Sequence, residues 1–160
     1  MSEVFEVPME VKRVVEFTSS QVERSKDIII PMFYISKGEK MEMVACPFRD
    51  EFEKVSAGNF IREKAKKMEA DFVMFVSESW ALALTKEEQD EFQANREKWP
   101  QVKDHPKAID IIMFQYQSKD ALWLGKSKVT IAEDGSKSVD PCEWVKTDKG
   151  TVSGKMANWL

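Results

Sequence analysis

The stretch from Asp71 to Leu84 reads Asp-Phe-Val-Met-Phe-Val-Ser-Glu-Ser-Trp-Ala-Leu-Ala-Leu. Phe72 to Val76 is apolar at every position, the pattern of a strand covered on both faces. Ser77-Glu78-Ser79 interrupts the run and Trp80 resumes it. In an unbroken pleat Phe72, Met74, Val76, Trp80, Leu82 and Leu84 share one face, and Glu78 points into that same face. A carboxylate there needs a partner, water or a raised pKa. The stretch therefore predicts a central strand and marks Glu78 as the first candidate for a site.

Working outward, Val11, Val14, Val15, Thr18 and Val22 recur at helical spacing and predict a helix from Pro8 to Arg24, with Pro8 suited to its first turn. Ile28 to Ile35 reads as a strand in which Pro31, having no N–H to donate, marks the start, an edge or a bulge. Lys37-Gly38-Glu39 turns the chain into a second strand, Met41 to Phe48, giving a hairpin. Asp50 to Glu53 has the form of an N-cap with an acid three residues on, and Ala57, Ile61, Ala65 and Met68 carry a helix to Glu69. After the central strand, Thr85 to Glu88 reads as a capping box that opens a polar excursion to Trp99, followed by a loop to Pro106. Ala108 to Gln117 and Ala121 to Ile131 form a further hairpin around Ser118-Lys119-Asp120. Asp134-Gly135 is a tight-turn signal, and Val139 to Val145 and Thr151 to Met156 are short candidate strands. The reading is one α+β domain over residues 1–160, in the order α-β-β-α-β-excursion-β-β-tail. It predicts a largely antiparallel sheet of about five strands with two helices on one face.

The chain has 160 residues, enough for one real core, and its net charge is -4. Residues 1–80 hold 12 basic and 15 acidic side chains, and residues 81–160 hold 12 and 13. Neither half is basic, which argues against nucleic acid or an anionic membrane as the main partner. The basic cluster at Lys64 to Lys67 reads as a solvated helix face. Cys46 and Cys142 form neither a disulfide framework nor a zinc pattern and read as free thiols of a reducing compartment. No run approaches the roughly 20 apolar residues of a membrane span, and the acidic start lacks the layout of a signal peptide. The expected address is the cytoplasm.

A single histidine excludes a multi-histidine metal centre, and no cofactor motif is present. Gly125-Lys126-Ser127 looks like the end of a phosphate-binding loop, but Asp120 stands where the leading glycine belongs and a strand surrounds it. One constellation is left: Glu78 flanked by Ser77 and Ser79, His105, and the carboxylates Asp104 and Asp110. A carboxylate raised by apolar neighbours beside an imidazole makes an acid/base pair, with Glu78 and His105 as the catalytic candidates. The structural reading of Glu78 is a bulge, a bond to backbone amides, or an ion pair with Arg62 or Arg49. Trp80 and Trp123 read as core, whereas Trp99, Trp144 and Trp159 lie near loops or the terminus, where aromatic residues anchor partners.

The segment Val76-Ser77-Glu78-Ser79-Trp80, followed by His105-Pro106 and the strand Ile109 to Tyr116, resembles small bacterial and phage-associated proteins of unknown function. That likeness covers residues 70–128 and implies no activity. The leading expectation is a non-enzymatic protein that binds a protein partner or forms a homo-oligomer, without cofactor or membrane. The alternatives are a small acid/base or hydrolytic enzyme centred on Glu78 and His105, and a nucleotide or nucleic-acid binder.

Overall fold

The computed structural model describes residues 6–25, 29–47, 51–82 and 84–147. In chain order these form α1 (Met9–Arg24), β1 (Met32–Lys37), β2 (Lys40–Ala45), α2 (Glu51–Met68), β3 (Phe72–Ala81), α3 (Lys86–Ala94), a short 3-10 turn (Val102–Asp104), β4 (Ile109–Ser118), β5 (Leu122–Ile131), β6 (Lys137–Val139) and β7 (Glu143–Thr147). The strands make one antiparallel sheet in the order β2-β1-β3-β4-β5, with β6 and β7 both pairing with β5. This is an α+β protein with seven described strands rather than about five, because the polar tail folds back twice along β5. The expected strand at Thr151 to Met156 lies outside the described residues. No helix among them is long and apolar enough to cross a membrane.

The helices do not share a face. Val11, Val14 and Val22 of α1 pack on Tyr34, Phe72, Met74, Val76, Ile112, Phe114 and Val129. Ile61 and Ala65 of α2 pack on Phe33, Ile35 and Val73, the alternate residues of the same strands. Successive side chains of a strand point to opposite faces, so α1 and α2 cover opposite sides of the sheet. The expectation of two helices on one face fails for a legible reason: β1 and β3 are apolar in both phases of the pleat, and each phase needs its own cover. Valines are poor helix formers, so α1 is held by burial of this stripe, about 1.5–3 kcal/mol for each fully buried side chain, rather than by propensity.

Pro31 immediately precedes β1, and its carbonyl accepts from Cys46 N at 2.8 Å, closing the mouth of the hairpin. Thr85 and Glu88 form the expected capping box of α3. Gly125 allows a close approach: a Cβ there would meet Cys142 Sγ at 2.7 Å and the Trp144 ring at 2.9 Å. Trp144 is accordingly half-buried against the α1-side core rather than projecting as a free anchor.

The end of α2 breaks a local rule. Ala70 N donates to Ala65 O and Glu69 N to Lys66 O, the pattern of a Schellman cap. Glu69 occupies its left-handed position with φ 53°. A non-glycine residue there costs about 1–2 kcal/mol, and an acid at a helix C-terminus opposes the macrodipole. Glu69→Gly is expected to stabilise the fold by about 1 kcal/mol, raising Tm by about 2–4 °C in a thermal melt. An unchanged or lower Tm would show that the Glu69 carboxylate contributes favourable contacts that offset the strain.

Candidate functional site

β3 pairs with β4 without a bulge from Phe72↔Ser118 to Ala81↔Ile109. The pleat is continuous, so Glu78 lies on the α1-covered face with Phe72, Met74 and Val76, as its phase dictates. Its side chain is fully buried. Asp110 of β4, opposite Trp80, falls on the same face one diagonal step away. Lys137 of β6 arrives on that face through the pairing Ile131↔Lys137. Its Nζ lies 3.5 Å from Glu78 Oε2, with only 6% of the lysine side chain exposed.

Glu78 Oε1 accepts from Ile29 N at 3.2 Å. Burial pushes the Asp110 carboxyl up from the ordinary 3.8 to about 7, reinforced by its hydrogen bond with Glu78 and by the Glu78 charge, against a smaller pull from Lys137. Asp110 therefore keeps its proton well above the ordinary carboxylate range and can donate it toward Glu78. Among the described residues, Asp110 Oδ1 and Glu78 Oε2 have no hydrogen-bond partner. Nearby Cys142 is not a nucleophile in waiting: burial holds its thiol at about 11, against an opposing hydrogen bond with Ser127. Among the described residues no group of three or more His, Cys, Asp and Glu could hold a metal.

His105 belongs to a different cluster. Its ring lies 4.5 Å from that of Trp99 and 5.5 Å from that of Phe92. Its Nδ1 accepts from Lys107 N at 3.0 Å. Arg96 covers the Phe92 ring at 4.5 Å. Neither Glu78 nor His105 is among the other's hydrogen-bond, ion-pair or ring partners. Asp104 Oδ2 accepts from Gln101 N at 3.0 Å, shaping the turn. Of the carboxylates considered from the sequence, the structure brings Asp110 to Glu78. Among the described residues the cation beside Glu78 is Lys137 rather than Arg62, and Arg49 lies outside the described residues. Trp99 is spent on the His105 cluster, and Trp159 lies outside the described residues.

Two grooves open elsewhere. One, of about 760 Å³, has four basic and three acidic side chains on its walls. Lys37 and Asp71 pair within it at 3.7 Å, and Asp71 Oδ2 accepts from Gly38 N at 2.7 Å. The other, of about 690 Å³, lies between α1 and the β1–β2 hairpin, and among the described residues Arg24 is its one charged lining residue. Phe17, Ile30 and Met43 line it while 51%, 55% and 62% exposed. Tyr34, on its floor, has a hydroxyl raised by burial and hydrogen-bonded with Thr18 of α1, which fixes the helix against β1. Ile29, the residue whose amide Glu78 holds, forms part of the same wall. The buried carboxylate thus tethers one side of the groove. Met43 carries no sequence signal that separates it from the other methionines. Comparison with family models, with characterised proteins and with solved structures finds no match.

Proposed function

We propose that this chain is a binding protein whose working surface is the apolar groove between α1 and the β1–β2 hairpin. One observation supports this most: Phe17, Ile30 and Met43, three of the large apolar side chains left exposed, converge on a single groove beside the terminal strand of the sheet. Concentrated exposed apolar area of this kind marks interaction surfaces, whereas scattered apolar residues do not. Phe52, Val55 and Phe60 are also exposed, but they stand on α2, whose backbone groups are already paired within the helix. The mixed-charge groove offers no field for a phosphate ligand. The test is the fluorescence of bis-ANS, which brightens on apolar surface, with dilute wild type and Phe17→Glu. Wild type is expected to bind the dye and the variant to lose about fivefold of the signal. Equal signals would remove the groove as the working surface.

A second reading, acid/base chemistry at the Glu78–Asp110 pair, is favoured by the position of Asp110 near neutrality. It is the weaker one, because neither groove is lined by Glu78, Asp110 or Lys137. His105, the partner expected from the sequence, has its own aromatic neighbours.

A further inference from the structure

We infer that the occupant of this groove is a second copy of the chain, added across β2 as an antiparallel strand about a two-fold axis through Met43. The inference rests on the groove reading above and adds the partner, the edge and the register.

β2 ends the sheet: its described strand partner is β1 alone. The opposite edge is a poor template. There β5 meets two short strands of three and five residues, whose registers differ by one around Asp140-Pro141. Proline and a register break are devices that blunt an edge. β2 is instead six uninterrupted residues whose outward backbone groups have no strand partner among the described residues.

The strand laid against β2 must put apolar side chains on the groove side and tolerate charge on the other. β2 itself meets that demand. Met41, Met43 and Ala45 pair with Ser36, Tyr34 and Met32 on the α1 side, and Lys40, Glu42 and Val44 alternate with them. A two-fold normal to the sheet keeps each residue on its own face, so two copies can only pair in registers centred on a residue. Centring on Glu42 sets two carboxylates directly opposite, which is destabilising. Centring on Met41 runs the pairing into the turn at Gly38, where φ is 57°. Centring on Met43 pairs Met41 with the partner copy's Ala45 position and Met43 with its own counterpart. Glu42 then faces Val44 of the other copy and keeps its ion pair with Lys64 of α2. The exposed large apolar side chain of β2, Met43, lies on the axis, and Phe17 and Ile30 of both copies flank it on one face. The contact is isologous and closes, as a dimer interface must.

The register makes the test specific. Paired Cα atoms across an antiparallel ladder are about 4.5–5.5 Å apart, within disulfide range. Met43→Cys is therefore expected to cross-link to a covalent dimer under mild oxidation. Met41→Cys alone should give roughly a tenth as much, because its counterpart is four residues along the partner strand, about 13 Å away. Met41→Cys with Ala45→Cys should restore the cross-link, and wild type controls for Cys46 and Cys142. Light scattering of wild type at about 100 μM should give a mass above 18.5 kDa, and Met43→Asp should return it to 18.5 kDa. Equal cross-linking at positions 41 and 43, or a wild type that stays at 18.5 kDa, overturns the inference. A monomer whose dye binding still depends on Phe17 sinks the second copy and leaves the groove reading standing. Loss of that dependence sinks both.

Discussion

Replacing Asp110 by Asn is expected to flatten the pH dependence of stability between pH 5 and 8 and to leave the variant about 2–4 kcal/mol more stable than wild type at pH 8. The unfolded chain releases the Asp110 proton near 3.8, whereas the folded chain keeps it until about 7. Between those values the native state binds more protons than the unfolded state. Stability therefore falls as pH rises through that window, and the contribution is lost once pH passes about 7. A gap of about three pKa units sets an upper bound near 4 kcal/mol at 1.36 kcal/mol per unit. Asn carries a permanent N–H donor toward Glu78 and cannot ionise, so it removes the falling limb while keeping the hydrogen bond. The described carboxyls held below their ordinary range, Glu42, Asp71, Glu88 and Asp134, act in more acid solution and leave the window clear. Guanidinium unfolding at half-unit steps of pH measures the effect. A wild-type profile that is flat or rising from pH 5 to 8 contradicts a raised Asp110 carboxyl.

Lys137→Met is expected to cost about 3–5 kcal/mol at pH 8, because it leaves a fully buried carboxylate without its cation. The cost shrinks toward pH 5, where Asp110 retains its proton and the buried site carries less negative charge. With the ammonium gone, the Asp110 carboxyl rises further, since Lys137 is the one influence that lowers it. Lys137→Arg should retain much of the stability by restoring the charge. The same unfolding series reads both variants. A loss under about 1 kcal/mol at both ends of the range would show a pair screened as an exposed one is.

The centre of the fold was legible because its signal is local. Apolar residues in both phases of Phe72 to Val76 require cover on two faces, and the pleat then fixes where Glu78 points. The same double phase in β1 already demanded helices on opposite sides, although the expectation placed both on one. The partners of Glu78 were harder to read. Asp110 stood in the candidate set, but strand pairing, not sequence distance, selected it over Asp104 and His105. Lys137 sits in a strand of three residues that pairs with the end of β5, too short for any periodicity to announce. His105 drew attention as the single histidine, yet its neighbours Phe92 and Trp99 come from the polar excursion, whose few apolar anchors close on one another. The groove had no motif at all. It arises where α1 crosses the hairpin, and Met43 becomes conspicuous only because nothing described packs beyond β2.

The tether from Glu78 to Ile29 joins the two halves of this picture, since the buried cluster holds a wall of the groove it does not line. Hydrogen exchange of wild-type protein, dilute against concentrated, tests that groove and edge as the working surface most directly. The account predicts that concentration slows exchange at residues 40–45 and at the groove-facing turn of α1 around Phe17 to Arg24, and leaves residues 143–147 unchanged. Protection that develops along β7 or α2 instead, or none anywhere, contradicts it.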